Sequence, residues 1–180
     1  MRILALFCLV LAMSQLGSGA YIQLKAALAQ HLIAAAWEAP DRQAKPWPWA
    51  DTHPVARLQL PARDVDLYVL AGGQGNALAF GPGHHSRSSL PGEGGVTVIG
   101  GHRDTHFDFL EVVEPGDELL LTGKDRKPWR YQITDTHIAD IRRGPLRAAG
   151  DGLLLVTCFP FDAIDPGGPL RYVVAARPLF

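Results

Sequence analysis

Cys158, His102 and Arg171 are the residues of this chain whose types and settings could do chemistry. Cys158 closes an apolar run, Leu153-Leu154-Leu155-Val156-Thr157, and is followed at once by Phe159-Pro160. A run bounded in this way, with Asp151-Gly152 ahead of it, reads as a buried strand that delivers its last side chain to a surface. The loop that follows, Phe159 to Pro169, is rich in Pro, Gly and Asp, and loops carried on rigid strands are where sites form. A thiolate placed there is a nucleophile for acyl transfer. The bland alternative is a small core hydrophobe, because free cysteine is among the most buried residue types. His102 lies in Gly100-Gly101-His102-Arg103, at the end of a short apolar stretch. Its imidazole titrates near neutrality and can protonate a leaving amine; the alternative is an ordinary loop histidine. Arg171 opens a strand after Gly167-Gly168-Pro169-Leu170. Its guanidinium is always charged and can hold negative charge developing on a carbonyl oxygen; the alternative is a plain salt bridge. Arg103 is a weaker candidate, since neighbours in a strand point to opposite faces.

Other patterns carry less. His102 and His106 stand four apart, as zinc ligands do on a helix. Glycines precede His102, however, and there is no HExxH and no evident third ligand, so no metal is expected. Gly72-Gly73-Gln74-Gly75-Asn76 lacks the lysine and Ser/Thr of a phosphate loop and reads as a plain loop. His84-His85 also read as loop residues with no role. No cofactor is expected.

The chain has 180 residues, enough for one cored domain and an appendage. Charged residues make up 19% and the net charge is −1, which gives no reason to expect nucleic acid as a partner. The two cysteines, Cys8 and Cys158, lie far apart and do not read as a disulfide pair. Met1-Arg2 precedes an apolar tract from Ile3 to Gln15, which continues through Gly17-Ser18-Gly19-Ala20 to Tyr21-Ile22. Two readings compete: a signal peptide cleaved at the small residues, or a membrane anchor with an interfacial tyrosine. The apolar character that resumes after the small residues favours the anchor, over residues 1–22. Either way the rest of the chain is exported. The expected location is the inner (cytoplasmic) membrane, single-pass, with the bulk of the chain on the extracytoplasmic side.

Residues 23–53 follow as a helical and Pro/Trp-rich linker. Gln23 to Ala39 is alanine-rich and helix-prone, Pro40 ends it, and Asp41 to His53 holds paired prolines and tryptophans. From Pro54 the pattern changes to short strands, at 55–60, 65–70, 96–99, 118–122, 129–138, 153–157 and 171–176, with a further apolar piece at 77–80. A short helix is expected over 107–113. Gly81-Pro82-Gly83, Pro91 to Gly95, Pro115-Gly116-Asp117 and Gly123-Lys124-Asp125 mark loops and turns. Strands at this spacing argue an all-β barrel or sandwich.

Taken together, these residues resemble the sortase family of cysteine transpeptidases. The resemblance rests on Pro91-Gly92, on Val98-Ile99-Gly100-Gly101-His102-Arg103-Asp104-Thr105, on Leu155-Val156-Thr157-Cys158, and on Leu170-Arg171-Tyr172-Val173-Val174. It covers residues 54–180. Lys45-Pro46-Trp47-Pro48-Trp49-Ala50-Asp51, with Val55-Ala56-Arg57-Leu58, is similar to the branch found in Gram-negative bacteria. Two positions depart from the family pattern: Leu154 stands where threonine is usual, and His106 where an aromatic residue is frequent.

The resemblance implies an eight-stranded β-barrel with short helices, behind an N-terminal hydrophobic helix, with the site at one end of the barrel. It also implies the roles. Cys158 would attack a backbone carbonyl in the sorting signal, LPXTG-like, of an exported protein. Arg171 would hold the oxyanion. His102 would protonate the leaving amine and deprotonate the amine acceptor that resolves the thioester. Thr157, Ala163 and Ile164 are expected to line the substrate pocket. Water in place of the amine would make the same residues a peptidase.

Overall fold

The computed structural model describes residues 21, 24–73, 75–144, 146, 150–163 and 167–179. Eight strands close into a barrel: β1 (Pro54–Leu60), β2 (Val65–Ala71), β3 (Gly83–His84), β4 (Val96–Gly100), β5 (Glu118–Gly123), β6 (Pro128–Asp140), β7 (Gly152–Cys158) and β8 (Leu170–Pro178). Their order around the wall is β1-β2-β3-β4-β7-β8-β6-β5, and β5 returns to β1. Most pairs are antiparallel; β2 with β3 and β4 with β7 are parallel. Closure gives each of the eight strands a neighbour on both sides.

Alternation in the sequence decides which side chains fill the barrel. In β1, Ala56, Leu58 and Leu60 are buried while Arg57 and Gln59 lie between them at the surface, the period-two pattern of a half-buried strand. β7 differs: Gly152 to Leu155 are buried in succession, as in a strand covered on both faces. Ile99, Leu121, Ile133, Leu153, Leu155 and Val174 meet in the core, with Phe107 and Leu110 closing it. Phe107 and Leu110 come from a 3-10 turn (Asp108–Val112) and its approach, where a short helix is expected.

Residues 75–79, overlapping the apolar piece at 77–80, form 3-10 helix. One part of the pattern falls differently from the expectation. β3 is a two-residue strand inside what reads as a loop. It carries no hydrophobic alternation, and it exists because Gly83 lies against the Gly72 carbonyl, where a Cβ would come within 2.2 Å of that oxygen. His84 is consequently buried, with Nε2 at 3.0 Å from the Ser89 carbonyl and 3.1 Å from the Ser88 hydroxyl.

Residues 24–38 form helix α1. Ala29, Ile33, Ala36 and Trp37 are its buried residues, a stripe at helical spacing that faces the barrel. Trp37 sits 6.1 Å from the Tyr68 ring of β2, with Lys124 and Arg126 over its face. The same two cations finish the helix. Lys124 Nζ donates to the Ala36 carbonyl at 3.0 Å and Arg126 Nη2 to the Trp37 carbonyl at 2.7 Å, where the last carbonyls lack intrahelical partners and the dipole favours positive charge. The Pro/Trp stretch after α1 lies along the barrel. Trp47 packs edge-on against Phe80 at 5.0 Å, and the buried Thr52 hydroxyl donates to the Ala71 carbonyl at 2.8 Å. Trp49 is exposed. Among the described residues no helix is long and apolar enough to cross a membrane. The expected anchor falls almost entirely on residues outside the described ones.

Candidate active site

Three neighbouring strands of the barrel, β4, β7 and β8, bring the expected residues together at their ends. β7 ends at Cys158, a free cysteine that is half-buried. Directly across on antiparallel β8, its Cα partner is Arg171. Phe159 N–H donates to the Leu170 carbonyl at 3.1 Å, so the next pair along is the hydrogen-bonded one. Cys158 and Arg171 therefore form a non-hydrogen-bonded pair, whose Cα atoms lie about 4.5 Å apart with side chains on one face. On the other side of β7, parallel β4 aligns Gly100 with Val156, and Gly101 N–H donates to the Val156 carbonyl at 3.1 Å. β4 ends at Gly100, and His102 follows two residues later in the turn beyond it.

Each residue is held by local chemistry. Gly101 must be glycine, because a Cβ there would meet the Phe107 ring at 2.7 Å. The chain can then turn, and the turn is closed by Phe107 N–H on the His102 carbonyl at 2.9 Å. His102 itself is exposed. Thr157, expected in the pocket wall, is 2% exposed, and its hydroxyl is turned inward to the Gly101 carbonyl at 2.8 Å. It braces β7 against the His102 turn. Arg171 Nη1 donates to the Gly168 and Leu170 carbonyls at 2.6 and 2.8 Å, which holds the guanidinium at the mouth of β8.

The segment after Cys158 is tied down on the β8 side by aromatic contacts. Phe159 stacks on Tyr172 with centroids 6.2 Å apart, and Phe161 meets the same ring edge-on at 5.2 Å. Ala163, expected as a pocket residue, is partly buried in this segment, and its N–H donates to the Pro160 carbonyl at 3.4 Å. Ile164 lies outside the described residues. His106 is partly buried; that burial, and then the neighbouring His102, push its pKa down. Among the described residues no group of three His, Cys, Asp or Glu side chains could hold a metal ion. Leu154, at the position of the usual threonine, is buried in β7.

The sortase-domain family model matches residues 58–179, which takes in seven strands whole and the last three residues of β1. The chain belongs to the sortase family. Sortase D of Bacillus subtilis (strain 168) is 32% identical over 123 residues, and the match covers 67% of this chain and 61% of that protein's own length. Among solved structures, the Sortase D5 transpeptidase of Clostridium perfringens superposes with a TM-score of 0.59 at 22% identity, over 71% of this chain and 80% of that one. A lid mutant of sortase A from Corynebacterium diphtheriae gives 0.61 at 22% identity, over 90% and 95%. At such identities the structural likeness speaks for the fold, an eight-stranded sortase barrel.

One residue that the sequence ranks low occupies a central place. Arg103 is 7% exposed, buried behind the His102 turn. Its position next to a candidate histidine is the only signal the sequence offers for it.

Proposed function

We propose that this sortase family member is a cysteine transpeptidase that acts on the sorting signal, LPXTG-like, of an exported protein. The observation that supports it most is the strand register that sets Cys158 opposite Arg171, with His102 two residues beyond the end of β4, the strand on the other side of β7. The Cys158 thiolate attacks a backbone carbonyl carbon of the signal. A C–S bond forms, and the tetrahedral oxyanion lies against the Arg171 guanidinium, a charge-assisted contact that strengthens as charge develops. The C–N bond then breaks, and His102 gives its proton to the departing amine. An acceptor amine attacks the thioester, loses a proton to His102, and forms the new amide as the C–S bond breaks. Two acyl transfers replace one direct amide exchange.

The reading extends to the ends of the chain. Residues 1–22 act as a single-pass anchor in the inner (cytoplasmic) membrane, and residues 54–180 are the catalytic domain on the extracytoplasmic side. Support for this is the charge-poor tract from Ile3 to Ile22 behind Arg2. Protease treatment of spheroplasts should degrade the barrel while intact cells protect it; resistance in spheroplasts would reverse the orientation.

The deciding experiment takes the full-length chain in detergent with LPXTG-like peptides, with and without hydroxylamine, beside Cys158→Ala. A hydroxamate that requires Cys158 establishes the acyl-enzyme. Free acid alone, with hydroxylamine present, assigns a hydrolase on the same residues. Turnover by Cys158→Ala would remove the mechanism altogether.

A further inference from the structure

Arg103 joins two segments that are distant in sequence. Its side chain is 6% exposed, while the carboxylate beside it, Asp104, is 70% exposed. Nε donates to Asp104 Oδ1 at 2.9 Å. The two terminal nitrogens donate elsewhere: Nη1 to the Pro160 carbonyl at 2.6 Å, and Nη2 to the Ala163 carbonyl. Those acceptors are neutral and lie 57 and 60 residues downstream. They are the two ends of the short turn that Ala163 N–H closes on Pro160. A buried guanidinium with mostly neutral partners is a costly way to add stability, since desolvation of the charge offsets what the contacts return. A planar fork that reaches three acceptors at once is a geometric device, and lysine cannot copy it.

The turn so held starts two residues after Cys158, and Arg103 itself follows His102. On the opposite side the same segment is pinned to Tyr172 by Phe159 and Phe161. The segment thus spans from β8 to the β4 turn, and among the described residues its hydrogen bonds on the β4 side come from Arg103.

We infer that Arg103 is a positioning residue of this site: its guanidinium sets the spacing between the His102 turn and the segment leaving Cys158. The inference rests on the proposed acyl-transfer function. Arg103 touches neither substrate nor the reacting atoms. It acts by holding the backbone from which imidazole and thiol project, and displacement of reacting groups by an ångström costs on the order of 100-fold in rate.

The test compares full-length wild type, Arg103→Lys and Arg103→Gln by thermal melting, by hydroxamate formation from an LPXTG-like peptide, and by the pH profile of Cys158 alkylation with iodoacetamide. The folded lysine variant should lose about 10- to 100-fold in kcat with KM within about threefold, as misplacement predicts. Its alkylation profile should shift, because the placement of the thiol and of the His102 imidazole follows the backbone that Arg103 holds. Unchanged kcat and a superimposable profile in a folded variant would overturn the inference and leave the transpeptidase reading standing. Should wild type form no hydroxamate, that reading falls, and the alkylation profile alone decides on Arg103. Arg103→Gln carries the test if the lysine variant does not fold. Loss of the fold in both would make Arg103 a stability residue only and would also overturn the inference.

Discussion

Arg171 reaches carbonyls at the mouth of β8 through Nη1, and its role in the proposed chemistry depends on shape as much as charge. Arg171→Lys keeps the charge and loses the fork. We expect hydroxamate formation to fall by about 100-fold or more, the scale of losing one oxyanion donor; full activity would reduce Arg171 to a structural part. Thr157→Val removes the hydroxyl that the Gly101 carbonyl accepts. Loss of this part-buried hydrogen bond costs about 0.5–1.5 kcal/mol, so the melting temperature should drop and the His102 turn should loosen. An unchanged melt would mean that the bond contributes nothing net. That Cys158, His102 and Arg171 stand at or just beyond strand ends was legible in the sequence, because each sits at the end of an apolar run or beside glycines; a common end of the barrel was what the family resemblance implied. The direction of Thr157 was not, because a strand residue shows its face only once the neighbouring strand is known. Arg103 was hidden for a similar reason: its acceptors are backbone carbonyls, which any sequence supplies.

The strands were readable where hydrophobic alternation or a long apolar run marks them, as in β1 and β7. β3 was not, since a glycine and a histidine become a strand only through pairing with β2 and β4. Order around the barrel was equally invisible, because parallel contact of β4 with β7 joins segments about fifty residues apart in the chain. Helix α1 shows the converse. Its residues look like part of a linker, yet Trp37 is 1% exposed under two cations. Trp37→Ala should destabilise the chain by about 3–5 kcal/mol, the usual loss for a buried tryptophan, and should expose residues 24–38 to protease before the barrel. If the melt stays at the wild-type value, α1 is only resting on the wall.

At the scale of the whole molecule, protons report on the fold. Burial, followed by Lys124, holds the His53 pKa below its ordinary value, and burial followed by His102 does the same for His106. For each, the folded state binds its proton later than the unfolded chain does. Their contribution is complete above the unfolded value of 6.5 and is lost as pH falls below it. Asp140 acts in the same sense further down: its hydrogen bonds from Arg142 hold its pKa at about 2, against 3.8 unfolded. Melting temperature should thus fall as pH drops from 7 to 5, and a chain carrying His53→Gln with His106→Gln should fall less steeply. Parallel slopes would take these histidines out of the account. The fastening of α1 has one more consequence, for where the protein begins. The family model starts at Leu58, but the side chains that must come apart when the barrel opens start at Ala29. The domain model and cooperativity draw different borders on this chain, and a fragment cut at the first of them would leave Tyr68 without its Trp37 cover.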